Sequence, residues 1–334
     1  MSTTMVTLMT IMWGSSSSSQ SVSERCLDVL SIPSVLVKYG QKVHGDPYHP
    51  ELNPDGIVDL GTAENKVCEE MLSQKLTDLK VEKEDTIQLY YPDLKGIISF
   101  RRRLKVFLQE MFNSVNEINT EELVVMNGTT SILEVLAYCL AERGDCFLVP
   151  SPYYYRIKND FEERAGIVCY EIPLYSSKIA GKSFQLSGSA LETAYRQAKD
   201  EGKSVKGVVL INPHNPLGDV YSKSDLHRFL LFAAQHQLHV ILDEIYALSV
   251  FDEQTTFSSV LSLSVPDPQR THFIWGFSKD LGLSGYRCGV LYSRNKDVIR
   301  YATQVAIYHL TPPLVQLKLE KLITDIGKSH PHPA

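Results

Sequence analysis

Val205-Lys-Gly-Val-Val-Leu-Ile211 runs straight into Asn212-Pro-His-Asn-Pro-Leu-Gly218, and Val240-Ile-Leu242 runs into Asp243-Glu-Ile-Tyr246. A short β-rich apolar run that breaks onto polar, turn-forming residues reads as a strand delivering its carboxyl end to a loop. The pattern recurs at Leu123–Met126 before Asn127-Gly-Thr-Thr130, at Cys146–Val149 before Ser151-Pro-Tyr-Tyr154, and at His272–Phe277 before Ser278-Lys279. Gly289–Tyr292 is a sixth strand candidate. Between the runs, Leu133, Leu136, Ala137 and Leu140 fall at helical spacing ahead of Gly144, and Leu226, Phe229, Leu230 and Ala233 do so after a Ser224 cap. Strands alternating with helices predict an α/β fold with a parallel sheet and crossover helices. Ligands of such sheets bind outside the carboxyl ends of the strands, so the polar clusters are expected to meet in one crevice.

The wider chain fits that reading. Its 334 residues allow about two domains or one large α/β unit. Thirty-three Lys plus Arg against 39 Asp plus Glu leave a net charge of −6, which excludes a general electrostatic grip on nucleic acid or anionic lipid. Arg101-Arg-Arg103 reads as the polar face of a helix whose other face is Leu104, Phe107, Leu108 and Met111. Six cysteines without a CxxC pair read as reduced thiols, and no metal site is expected. The Met1–Gly14 stretch makes a poor signal peptide, no run reaches the length of a membrane span, and residues 1–25 read as a flexible segment. A cytoplasmic protein is expected.

A lysine, an aspartate, an asparagine, tyrosines, an arginine and a Gly-Thr-Thr turn form neither a hydrolase triad nor a metal cage. HExxH, GxSxG and a strand-borne GxGxxG are all absent. The set suits a phosphorylated aldehyde that forms a Schiff base with lysine while a carboxylate holds its pyridinium nitrogen. Lys279 would be that lysine and Asp243 that carboxylate.

The motifs NPxNPxG (212–218), DEIY (243–246) and SKDxGxxGxR (278–287) resemble the class I/II aminotransferases of pyridoxal-phosphate fold type I. SKDLGLSGYR, LGTAEN (60–65) and PYYY (152–155) are similar to the 1-aminocyclopropane-1-carboxylate synthase branch, especially its animal synthase-like members. The resemblance covers roughly residues 26–325. It implies a fold type I large domain at 86–325, an N-terminal arm with part of an incomplete small domain at 26–85, and a tail at 326–334.

It also implies pyridoxal 5′-phosphate as cofactor, an amino acid as substrate and a homodimer. Lys279, Asp243 and Tyr246 would be catalytic. Asn215 and Tyr246 would bond the ring's 3-oxygen and Tyr154 would stack on its face. Thr129, Thr130, Ser278 and Arg287 would cup the phosphate, and Tyr91 would reach the phosphate of the neighbouring subunit. Glu64 and Asn65 have two readings of equal weight: the substrate side of the site, or the start of a helix through Val67, Met71 and Leu72.

Two positions depart from the synthase pattern. Leu94 stands where that branch has a tyrosine, and Gly276 where it often has a hydroxyl residue. Only 47 residues follow Arg287, and neither Arg294 nor Arg300 lies in a phrase like the SFR that supplies the family's substrate-carboxylate arginine. Two functions are therefore expected in competition: a transaminase or synthase-like lyase, or a shortened, cofactor-binding homologue with weak or no turnover.

Overall fold

The computed structural model describes residues 21–79, 89–174 and 185–329. The chain divides into two compact units, Met1–Pro33 and Ser34–Ala334. In the first, helix α1 (Glu24–Ser31) starts at Ser23, whose hydroxyl accepts from the Cys26 N–H. The expected flexible segment therefore lies outside the described residues as far as residue 20, and among the described residues the first helix begins at Glu24.

The second unit carries helices α2 (Val35–Gly45) and α3 (Glu69–Asp78), then α4 (Ile98–Met111) and a seven-stranded sheet. The strands are β1 (Leu123–Met126), β2 (Cys146–Ser151), β3 (Val168–Pro173), β4 (Val205–Ile211), β5 (His239–Asp243), β6 (Thr271–Gly276) and β7 (Gly289–Ser293). Helices α5 (Thr129–Leu140), α6 (Arg156–Glu162), α7 (Gly188–Asp200) and α8 (Lys223–Gln235) connect them, and α9 (Lys296–Val305) and α10 (Pro313–Ser329) follow. Among the described residues no helix is long and apolar enough to cross a membrane.

The order across the sheet is β1-β7-β6-β5-β4-β2-β3. Side chains alternate between its two faces, so Leu123 and Val125 of β1 join one core while Val124 and Met126 join the other. The first core is covered by α4, α7, α8 and α10, the second by α5, α6 and α9. Layers of helix on both faces make the strands continuously apolar, which is why they were readable as runs.

Four differences from the expected pattern have physical causes. β3, unpredicted, is a half-buried edge strand whose Val-Cys-Tyr-Glu-Ile-Pro173 sequence is only weakly apolar, and an edge tolerates its proline. β7 runs antiparallel to both β1 and β6, because the return from Gly276 to Gly289 holds a single 3-10 turn and no crossover helix. The cap of α8 is Ser222, which accepts from the Asp225 N–H, rather than Ser224. Arg101 is not on a polar face: it is 2% exposed. Its guanidinium donates to the Gly96 and Thr120 carbonyls at 3.0 and 2.7 Å and to Asp93 and Glu121 at 2.7 and 3.1 Å, tying down the turn after Tyr91.

At the amino edge of the parallel strands, His239 Nδ1 meets His272 Nε2 at 3.0 Å, and His272 Nδ1 meets Ser293 Oγ at 2.9 Å. Burial holds both imidazoles neutral, with pKa values pushed down to about 4 for His239 and about 3 for His272. The unfolded chain protonates them first, so this pair withdraws stability as pH falls through 6.5, and continues to do so until the folded-state values are reached. Buried carboxyls with raised values pull the other way, so the pair is best read as a difference between proteins. Between pH 7 and pH 5, wild type is expected to lose about 4 kcal/mol more than a His239→Gln/His272→Gln variant, about 2 kcal/mol for each imidazole, measured by urea unfolding. Parallel pH profiles of the two proteins would refute the assignment.

Candidate active site

The carboxyl ends of β1, β2, β4, β5 and β6 open onto one cavity of about 660 Å³. It gathers Thr129 and Thr130 after β1, Tyr154 after β2, Asn215 after β4, Asp243 and Tyr246 at the end of β5, and Ser278, Lys279 and Arg287 from the β6–β7 return. Nine of the ten residues expected at the cofactor thus line a single space. The tenth, Tyr91, is outside it and 96% exposed.

Lys279 is half-buried, and its Nζ donates to the Ala63 carbonyl at 2.8 Å. Burial lowers its pKa, the Glu64 carboxylate works against that, and the Arg287 charge adds to it. Asp243 is 5% exposed, with its Oδ1 accepting from the Ile245 N–H at 3.2 Å. Burial lifts its pKa to about 7; the Ile245 amide pulls it down and the Asp280 charge pushes it up. A carboxyl held there gains most from a cationic hydrogen-bond donor placed in the cavity. Burial also raises the phenol of Tyr154, and that of Tyr246 to about 12, so both remain hydrogen-bond donors at neutral pH.

At the other end of the cavity lies an anion cradle. The first amides of α5 have no partner within the helix, and the helix dipole adds positive potential there. Gly128 precedes them at φ +110°, and a Cβ at that position would fall 2.5 Å from Arg287 Nη2. Only a glycine lets the guanidinium lie against the start of α5. Arg287 itself adopts the left-handed region at φ 49° with Nη1 donating to the Ser284 carbonyl at 3.0 Å, a constrained backbone of the kind that clusters at binding sites.

The two readings of Glu64 and Asn65 separate. Glu64 acts electrostatically on Lys279, whereas the Asn65 carboxamide accepts from the Cys68 N–H at 3.2 Å, just before α3 begins at Glu69. Val67 stays outside that helix and exposed, while Met71 and Leu72 belong to it. Motif reading missed the part of the near wall that comes from α2 through Leu36 and Tyr39, whereas residues 60–63 of that wall fall within LGTAEN. Nothing in the composition of α2 signalled it. Motif reading also gave no role to Asp280, although that residue lies in the SKD motif beside Lys279.

The geometry therefore offers an amine of lowered proton affinity, a buried carboxyl, phenol and amide donors, and an anion cradle around one space. A family model described as aminotransferase class I and II matches residues 56–325. The chain belongs to the aminotransferase class I and II family.

Among aminotransferase class I and II relatives, a Homo sapiens protein named 1-aminocyclopropane-1-carboxylate synthase-like protein 1 is 42% identical over 286 residues, 84% of this chain and 57% of that protein. A Mus musculus protein named probable inactive 1-aminocyclopropane-1-carboxylate synthase-like protein 2 is 41% identical over 283 residues, 84% of this chain and 49% of that one. The chain thus spans about half the length of these curated relatives. The solved structure of an archaeal alanine:glyoxylate aminotransferase is similar at TM-score 0.74, covering 93% of this chain and 73% of that one at 19% identity, a likeness of fold.

Proposed function

We propose that this chain binds pyridoxal 5′-phosphate through Lys279 and acts on α-amino acids in transaminase-type amino acid metabolism. The observation that carries the proposal is the shared cavity of Lys279, Asp243 and the Arg287 cradle, since few ligands need an amine, a buried carboxylate and an anion site at once. The donor set fits the group: a dianion for Arg287 and the α5 amides, a ring N–H for Asp243, and a carbonyl carbon for Lys279.

When bound, the cofactor supplies an electron-withdrawing ring that stabilises negative charge at the substrate Cα. The chain's residues would do the rest. Lys279, its proton affinity lowered by burial, would anchor the group and then carry the Cα proton. Asp243 would hold the ring nitrogen protonated. Asn215 and Tyr246 would donate to the 3-oxygen, and Tyr154 would cover the ring face. Thr129, Thr130, Ser278 and Arg287 would hold the phosphate, and Glu64 would face the substrate. We assign residues 86–325 to the cofactor-binding domain and residues 26–85 to the arm and part of the small domain. Six unpaired cysteines fit a cytoplasmic setting.

Borohydride reduction of protein loaded with pyridoxal phosphate, followed by peptide mass mapping, tests the anchor. The adduct is expected on Lys279, and an adduct confined to another lysine would overturn the assignment. Keto-acid release over a panel of amino acids, and 1-aminocyclopropane-1-carboxylate release from S-adenosylmethionine, then test turnover.

Gly276 favours a second reading, of a cofactor-binding chain with little turnover. A Cβ there would lie 2.9 Å from the Cys288 carbonyl oxygen and 3.1 Å from Ile245 Cδ1, so the hydroxyl residue of the synthase pattern has no room. The relative named probable inactive points the same way. Turnover in the normal enzymatic range, about 1–10³ s⁻¹, would dismiss this reading.

A homodimer is part of the proposal. Leu60, Val67, Met71 and Tyr91 are large, apolar or aromatic, and exposed on the segments around the site. A second copy would cover them and bring Tyr91 to the partner's phosphate. Sedimentation with cofactor present is expected to give a dimer; a monomer at micromolar concentration would contradict it.

A further inference from the structure

We propose that Asp280 is a positioning residue whose carboxylate locks the turn bearing Tyr246 onto the segment bearing Lys279, fixing the spacing of phenol and amine. This inference rests on the function proposed above.

Asp280 Oδ2 accepts from the Leu248 N–H at 3.0 Å and from Trp275 Nε1 at 2.8 Å, and Oδ1 accepts from Ser249 Oγ at 2.7 Å. Three donors thus converge on one side chain that follows Lys279 directly. Leu248 and Ser249 close the turn that begins at Glu244: the Ala247 N–H bonds the Glu244 carbonyl and the Ser249 N–H bonds the Tyr246 carbonyl, both at 3.0 Å. A shift of Ser249 is therefore a shift of Tyr246.

The third donor is a fixed post. Trp275 is fully buried, with its ring centroid 5.3 Å from that of Phe107, 6.0 Å from Phe112 and 4.9 Å from Phe277. Asp280 connects this buried ring to the turn that carries Tyr246. Only an ionised carboxylate accepts from all three donors without offering one of its own, so an amide of the same shape must turn an N–H toward a donor. Burial raises the Asp280 pKa to about 6, while Ser249, Trp275 and Leu248 pull it back, so the acceptor form prevails at neutral pH. Its charge in turn raises the pKa of Asp243 and Glu244, the other buried carboxyls of the turn.

The test uses the full chain with pyridoxal phosphate and reads the pH midpoint of its visible absorbance, which reports hydrogen bonds to the cofactor's 3-oxygen. Tyr246→Phe removes the phenol and is expected to raise the midpoint by about 1 pH unit. Ser249→Ala breaks the tie from the turn side without changing charge, and is expected to move the midpoint the same way by a good part of that amount. Asp280→Asn on the Tyr246→Phe background should add much less than it does alone, because both act through one contact.

A role confined to stability would lower the melting temperature and leave the midpoints of Ser249→Ala and Asp280→Asn in place, which would overturn the proposal. Additive shifts in the double variant would overturn it as well. A second readout needs no cofactor: in a Trp13→Phe background, Trp275 fluorescence should titrate near pH 6 and lose that transition in Asp280→Asn. Absence of any acid transition that Asp280→Asn removes, over the pH range in which the protein stays folded, would count against the hold of the carboxylate on Trp275. A wild-type chain with no borohydride-trapped adduct at Lys279 would fail the parent reading and this one together. An adduct at Lys279, with the Tyr246→Phe midpoint raised and the Ser249→Ala and Asp280→Asn midpoints unmoved, would fail this one alone.

Discussion

Lys279→Ala is expected to abolish the borohydride-stable adduct and to slow any exchange of the substrate Cα proton by about 10²–10⁴-fold, the usual contribution of a general base. Among the described residues lining the cavity, Lys279 is the one lysine, and the other basic side chain, Arg287, is a guanidinium that does not act as a nucleophile. The variant leaves the Ala63 carbonyl without its donor, on a segment that is otherwise exposed, so stability should change by less than about 1 kcal/mol. Intact protein mass after reduction, together with solvent-deuterium exchange at the amino-acid Cα, measures both effects. An adduct of undiminished yield in Lys279→Ala would mean that the cavity presents its amine elsewhere.

Asp243→Asn should separate function from stability in opposite directions. An amide cannot hold a protonated ring nitrogen as a carboxylate does, and the loss of that charge-assisted bond is expected to slow chemistry on the order of 10²–10³-fold while cofactor binding remains detectable. The cofactor-free protein should gain. The folded-state pKa of Asp243 is raised from 3.8 to about 7, so the folded chain is penalised increasingly as pH rises through that window, and the penalty is complete above it. At pH 8 the variant is expected to be more stable by on the order of 2–4 kcal/mol, and at pH 4 to show almost no difference. Equal single-turnover rates, or a stability difference that does not grow with pH, would count against the role of Asp243.

Most of the fold was legible because the strands are buried on both faces and so appear as unbroken apolar runs. Leu123–Met126 and Val205–Ile211 match their strands residue for residue. β3 escaped because an edge strand needs less apolar surface, and the reversal of β7 escaped because strand direction depends on the length of the connection rather than on composition. At the site, residues set on strand ends could be placed from sequence, since topology alone brings Asn215, Asp243 and Lys279 together. Residues that arrive from distant segments could not. Leu36 and Tyr39 carry no motif of their own, and the burial of Arg101 depends on the Asp93 and Glu121 that surround it in space.

The return between β6 and β7 carries Lys279 at one end and Arg287 at the other, and its base is stapled where Gly276 pairs with Gly289. Amine and guanidinium therefore belong to one hairpin inside the sheet, flanked by β1 and β5, like the two jaws of a caliper mounted on a single beam. Outer helices can fray, and the near wall formed by α2 can breathe, without altering the gap between them. The jaws come apart only when β6 and β7 unzip, so the amine and the guanidinium should separate in the same cooperative step as the core, with no partly dismantled state that keeps one in place and loses the other.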